Sequence, residues 1–302
     1  MKIAIAGGTG FVGKHVTDLL VSKGHQVYIL TRSPEKYLGT ENIRYVGWLS
    51  ERYTPEQSLT DCNAIINLAG ESLFGYWTSD KKERIVSSRV KATDSVIKLI
   101  DGMEKKPEVL INASAVGFYG TSTTEMFSEE TTKSGDDFLA EVTQKWESVA
   151  YQATERDVRV VCARLGIVLG KKGTLELMAL PYKFFVGGKI GSGEQWISWI
   201  HVKDVAALFL HAIEDNSING PLNASAPHPI QQKVFSKQLA NKLHRPDWIP
   251  IPAFFLRTLL GEMSMLVVDG QAVFPKKAQA HHYSFEYPEI EQALDEIYHQ
   301  IN

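Results

Sequence analysis

Apolar and polar positions along the chain divide it into short blocks. Ile3-Ala4-Ile5-Ala6 is an uninterrupted apolar run, which predicts a strand buried on both faces. The run breaks at Gly7, Gly8, Gly10 and Gly13. Residues 11–23 then set Val12, Val16, Leu19 and Leu20 at helical spacing, and Gly24 closes the helix. Further apolar runs predict strands over residues 25–30, 43–48, 63–68, 109–113 and 158–163. Between them, residues 79–102 carry a stripe at Ile85, Val86, Val90, Val96, Ile97 and Ile100, a long helix N-capped by Ser79 or Asp80. Residues 136–154 predict another helix. Strands alternating with helices at this spacing read as βαβ units, so the expected fold class is α/β, a doubly wound parallel sheet with right-handed crossovers.

From about Leu169 the rhythm changes. Glycines 170, 173, 187, 188, 191 and 193 surround a helix expected over 175–185, and a Trp-rich stretch, 195–202, follows. A helix over 203–214 and a strand over 221–226 return to the main pattern. Residues 231–243 and 288–299 predict further helices, with a proline-rich stretch between them. The expected organisation is a Rossmann domain over residues 1–170, with 203–226 returning to it. Residues 171–202 and 227–302 form a small, interleaved C-terminal substrate lobe.

Composition narrows the function. The 302 residues are 44% hydrophobic and 22% charged, and 32 basic against 35 acidic residues give a net charge of −3. Nothing there marks a nucleic-acid partner. Cys62 and Cys162 both lie in apolar surroundings and read as small core residues rather than a disulfide. No basic-then-apolar leader opens the chain, and no apolar stretch nears the ~20 residues that span a bilayer. A reducing cytoplasm is the expected location, with no membrane partner.

The first candidate chemistry is the glycine turn. A strand that feeds a helix through glycines brings bare backbone N–H groups up to a pyrophosphate. The spacing Gly7-x-x-Gly10-x-x-Gly13 differs from G-x-G-x-x-G, but glycine serves the same turn, approach and packing. The second strand ends Thr31-Arg32-Ser33. An acid there would hold a ribose 2′-OH, whereas a guanidinium between two hydroxyls suits a 2′-phosphate, so NADP(H) is the expected cofactor. The alternative is a solvated loop arginine.

With these residues in place the chain resembles the extended short-chain dehydrogenase/reductase superfamily. More narrowly, it resembles the branch labelled nucleoside-diphosphate-sugar epimerases, with its short C-terminal domain of unknown function. The resembling segments are GGTGFVG, NLAGES, SSRVKAT, SAVGFYG, FLAEVTQKWE, RLGIVLG, GKIGSGEQWISWIHVKDV, and a tail with GEM and FPKKA. The resemblance implies pyrophosphate contacts at Gly7, Thr9, Gly10, Phe11, Val12 and Gly13, and a 2′-phosphate held by Thr31 and Arg32. It sets Leu68, Ala69 and Gly70 under the ribose and adenine side, and Arg89 near the cofactor or, alternatively, in an exposed ion pair. A homodimer through the helices at 79–102 and 136–154 follows only by analogy.

The superfamily's tyrosine, four residues before a lysine on one helix face, is absent. Aligning Glu147 with the family glutamate puts Leu139 and Thr143 at those positions, and no tyrosine in the chain has a lysine four residues on. Ser114, at the end of the fifth strand, and Tyr119 remain as candidate catalytic residues. Their alternatives are a backbone-capping serine and a rim aromatic. Glu71 is a candidate proton carrier on the substrate side, or simply a helix-start acid. Trp199 and His201, on one face of the alternating stretch 195–202, are candidates for a ligand wall or for lobe core. His201 and Asp204 have no further ligand at metal spacing, so no metal is expected. Two readings remain. One is an NADP(H)-dependent reductase or epimerase acting on a carbonyl or carbinol of a polar small molecule, such as a nucleotide sugar. The other is a non-catalytic NADP(H) sensor.

Overall fold

The computed structural model describes residues 1–299. Seven parallel strands form one sheet: β1 (Lys2–Ala6), β2 (Gln26–Thr31), β3 (Ile43–Gly47), β4 (Ala64–Asn67), β5 (Val109–Ala115), β6 (Arg159–Leu165) and β7 (Gly220–Ala224). Their order across the sheet is β7-β6-β5-β4-β1-β2-β3, so the direction of winding reverses between β1 and β4. Ligands of open α/β sheets bind outside the carboxyl ends of the strands at such a switch point. The expected Rossmann topology is therefore the observed one.

The main helices are α1 (Phe11–Ser22), α2 (Ser79–Gly102), α3 (Phe138–Ala150), α4 (Thr174–Lys183), α5 (Val202–Glu214), α6 (Gln232–Leu243), α7 (Ala253–Leu260) and α8 (Ile290–His299). Helix α1 ends as its sequence predicts. Gly24, at φ +78°, donates to the Val21 carbonyl while His25 N–H reaches the Leu20 carbonyl, so two orphan acceptors are satisfied. The cap of α2 differs from expectation. Thr78 rather than Ser79 or Asp80 supplies it, accepting from the Lys81 N–H at 3.2 Å. The helix expected over 136–154 stops at Ala150 and tightens into a 3-10 turn over Tyr151–Arg156.

Alternate strand residues divide between two cores. Ile3, Ile5, Ile66, Ile111, Val161 and Leu222 pack with α1 and α5, whose Val205, Leu208 and Phe209 are wholly buried. Ala4, Ile65, Leu110, Val160 and Cys162 face the other way with α2, through Val96, Ile97 and Ile100. Strands apolar on both faces are what helical cover on both sides requires. Pairing also sets Ser114 opposite Arg164 and Arg164 opposite Asn223, so three polar side chains share the α3 face near the carboxyl ends of β5, β6 and β7.

A third core joins Leu169, Leu175, Trp199, Phe235, Leu239 and α8. Short strand pairs tie this region down: Trp199–His201 beside Ile167–Leu169, Trp196–Ile197 against Ile230–Gln231, and Ala272–Val273 beside Met126–Phe127. Among the described residues no helix is long and apolar enough to cross a membrane.

Candidate functional site

At the switch point the backbone of residues 7–13 forms a cradle that side chains would fill. Gly7 has φ +82°, and a Cβ there would lie 2.8 Å from the Leu68 carbonyl. On Gly13 a Cβ would come within 2.3 Å of the Gly7 oxygen. Gly10 begins α1 with no side-chain cap, so the first-turn N–H groups, including those of Phe11, Val12 and Gly13, are left for an external acceptor. These residues fit a dinucleotide pyrophosphate. The Phe11 ring packs on Gly170 and Gly173, tying the turn to the start of α4. Thr9 is half-buried beside it.

At the end of β2, Thr31 Oγ1 accepts from the Ser33 N–H at 3.4 Å, and Arg32 is exposed. Arg52 joins it, with Nη2 3.5 Å from the Arg32 carbonyl oxygen and its guanidinium 4.7 Å from the Tyr53 ring. Among the described residues neither arginine is paired with a carboxylate. Arg52 escaped the sequence reading because no local signal connects the loop after β3 to the end of β2.

After β4, Leu68 and Ala69 are half-buried and Gly70 is exposed. Gly70 backs onto Arg89, whose Cγ would lie 3.2 Å from a Cβ at that position. Arg89 itself is not in the exposed ion pair that was its alternative. Its Nη1 donates to the Ile85 carbonyl at 3.0 Å, its guanidinium sits 5.1 Å from the Trp146 ring, and burial lowers its pKa to about 10. A buried amide network holds the loop's base. Asn67 Nδ2 donates to Thr93 Oγ1 and Asn112 Oδ1, and Trp146 Nε1 donates to the same threonine.

The proton carriers expected at the far half are committed elsewhere. Ser114 is 2% exposed and donates to Glu147 Oε1 at 2.6 Å; Glu147 in turn takes a two-pronged contact from Arg164, at 2.8 and 2.9 Å. Tyr119 is 4% exposed, donates to Asn223 Oδ1 at 2.8 Å and stacks on Phe127, and burial raises its pKa. Glu71 accepts from Lys81 Nζ at 2.7 Å and lies 3.4 Å from Arg84 Nε. The Lys81 bond holds its carboxyl below the usual range, so it stays ionised at neutral pH. Thr143, at the lysine position, is 3% exposed and bonds back to the Leu139 and Ala140 carbonyls. Leu139, at the tyrosine position, packs against the buried cluster of Trp77, Ile85 and Val142.

The expected ligand wall is a correction. Trp199 and His201 are both wholly buried. Trp199 Nε1 donates to the His228 carbonyl. His201 Nδ1 accepts from the Lys203 N–H and caps α5, while Nε2 meets Glu296 at 3.1 Å. Desolvation brings the ring's pKa down to about 4, so it stays neutral. Alternation correctly put both side chains on one face, and that face is lobe core. Sequence reasoning also missed the pairing of Glu147 with Arg164. Its one signal was an arginine inside the apolar strand VVCARL, a charge that burial obliges to find a partner.

The reversal of strand order, the uncapped α1 and the side-chain-free cradle together define an NAD(P)-binding Rossmann protein. Residues 3–224 match the family described as "NAD dependent epimerase/dehydratase family", and residues 251–297 match "Domain of unknown function (DUF1731)". The chain belongs to that epimerase/dehydratase family. It is similar to "Epimerase family protein YfhF" of Bacillus subtilis (strain 168), 48% identical over 297 residues and covering 98% of each chain. A crystal structure of "human epimerase family protein SDR39U1 (isoform2) with NADPH" covers 99% of each chain at 30% identity and TM-score 0.86. UDP-glucuronic acid 4-epimerase from Bacillus cereus, solved with NAD, shares the fold at TM-score 0.79 and 15% identity.

Proposed function

We propose that the protein binds NADP(H) in preference to NAD(H) and serves as an oxidoreductase on a carbonyl or carbinol compound, without a tyrosine–lysine relay. The observation that carries the cofactor preference is Arg32 and Arg52 converging on the end of β2, where an NAD-binding site would offer an acid. Two guanidiniums without carboxylate partners suit a phosphate dianion. The human relative, solved with NADPH, supports the same reading. The nicotinamide supplies a hydride. The chain's own residues hold the pyrophosphate on the α1 N-terminus, seat the ribose over residues 68–70, and fix the floor through Arg89 and the Asn67–Asn112 network.

A second reading, a non-catalytic NADP(H) sensor, draws on the commitment of Ser114, Tyr119 and Glu71 to other partners. It predicts NADPH binding without turnover of any acceptor. Calorimetric titration of NADPH and NADH against wild type and Arg32→Asp tests the cofactor preference. The substitution should weaken NADPH at least tenfold, the scale of a lost charged hydrogen bond (~1.5–3 kcal/mol), and leave NADH nearly unchanged. Equal loss of both would refute it.

A further inference from the structure

We propose that the cavity between α3 and the β6–β7 end of the sheet is a binding site for a planar, uncharged molecule carrying an amide or lactam group. The inference stands apart from the cofactor reading, because β6 lies three strand spacings, ~14 Å, from β1 and its glycine turn.

The cavity has a volume of about 340 Å³, within the ~300–1,000 Å³ that small-molecule sites occupy. Gln144, Glu147, Ser148 and Tyr151 recur at helical spacing, so one face of α3 and its following turn bounds it. The sheet contributes Arg164 of β6 and Pro221 of β7. Phe118, Tyr151 and Pro221 give it the apolar and aromatic surface on which a flat ring packs.

One polar group in this lining is left open. The Arg164 side chain is 5% exposed, and its Nε and Nη2 are spent on Glu147. Nη1 is buried with no hydrogen-bond partner among the described residues. An unsatisfied buried donor costs free energy, so the site selects a ligand with an oxygen acceptor. Acceptors for a ligand donor stand in the same lining. Glu147 Oε2 accepts from Arg164 Nη2, and Glu129 accepts from the Asn223 and Lys277 N–H groups at 2.9 and 3.3 Å. Each carboxylate oxygen keeps a further lone pair. Burial pushes the Glu129 carboxyl up, a cost to its charged form that a ligand N–H would offset.

Charge argues for a neutral ligand. Arg164 and the Lys277 ammonium, held on the Asn219 carbonyl at 2.6 Å, are set against the carboxyls of Glu147 and Glu129. The cations and acids balance. A carboxylate ligand would reach Nη1 but crowd both acids, and an ammonium would meet the guanidinium. An amide offers its carbonyl to Nη1 and its N–H to a carboxylate oxygen, with no change in local charge.

Titration of the isotope-labelled full chain with benzamide, followed by NMR at the backbone amides of Thr131, Gln144 and Ser148, tests this, with benzoate and benzylamine in parallel. Saturable shifts at those amides are expected with benzamide, with or without NADP⁺, and at least tenfold weaker binding of the other two compounds. Arg164→Lys keeps the cation but removes Nη1, and Ser148→Phe fills the cavity from an exposed position on α3. Each should weaken benzamide at least tenfold. Ser148→Phe decides alone where Arg164→Lys fails to fold. Tighter binding of benzoate or benzylamine would overturn the ligand class. Shifts that do not saturate, or benzamide binding indifferent to Ser148→Phe, would show a recess that holds only water and overturn the site.

Discussion

Arg164 and Glu147 face each other across the gap between β6 and α3 as a buried, two-pronged ion pair, each side chain 5% exposed, with the Ser114 hydroxyl on the same carboxylate. The pair lines a cavity together with Phe118, Glu129 and Tyr151, and Arg164 Nη1 has no hydrogen-bond partner among the described residues. The guanidinium also lies on the Phe118 ring, 3.4 Å from its centre. Removing one member leaves an uncompensated buried charge. Glu147→Ala should therefore cost about 3–5 kcal/mol, read as a fall in urea midpoint. Ser114→Ala should cost only about 1–2 kcal/mol and leave NADPH binding and turnover close to wild type. Abolished turnover in a folded Ser114→Ala protein would make the serine catalytic after all.

Gly13→Ala tests the cradle itself. Its methyl would lie 2.3 Å from the Gly7 oxygen and 2.6 Å from the Gly8 Cα, both backbone atoms that cannot swing aside. The turn must open. NADPH affinity should fall by about a hundredfold, or ~2.7 kcal/mol, as measured by calorimetry. A tight-binding, folded Gly13→Ala protein would contradict the cradle.

His201 should set an acid limb of stability. Its folded pKa of about 4 lies below the ordinary 6.5, because burial penalises the charged ring more than Glu296 favours it. The unfolded chain therefore takes up the proton first. Stability is full above about pH 6.5 and is lost as pH falls from there toward 4, on the order of 3 kcal/mol in all. His201→Asn keeps an N-cap acceptor for α5 without a titrating group. Its denaturation midpoint should change less between pH 7 and pH 4.5 than the wild-type midpoint does.

The thiols should be silent in the native state. Burial pushes Cys62 up to about 11 and Cys162 higher still, so neither holds appreciable thiolate at neutral pH. An aromatic disulfide reagent should find no reactive thiol in native protein and two in guanidinium chloride. Rapid native labelling of either would show that the core around β4 or β6 opens locally.

Much of the fold was legible because its signals are local. The run Ile3 to Ala6, the glycines after it and the Schellman ending at Gly24 each declare themselves within a few residues. The cofactor half of the candidate site shares that quality, since Gly7, Gly13 and Arg32 act largely through backbone or from a strand end. The substrate half does not. Trp199, His201, Ser114, Tyr119 and Glu71 all carry plausible chemistry as residue types. Their partners, His228, Glu296, Glu147, Asn223 and Lys81, lie between 10 and 104 residues away. Alternation over 195–202 was read correctly, but a strand pattern gives which side chains share a face, not what that face meets.

The sequence by itself determined the winding of the sheet, the glycine cradle and the absence of a tyrosine–lysine pair, because periodicity, backbone permissiveness and residue identity are properties of short stretches. Only the tertiary structure decided that Arg52 joins Arg32 and that the remaining candidate proton carriers are committed to structural partners. Those outcomes depend on which side chains meet across loops and layers. A buried polar group must satisfy its hydrogen bonds wherever the folded chain offers a partner, and that requirement acts through space rather than along the sequence.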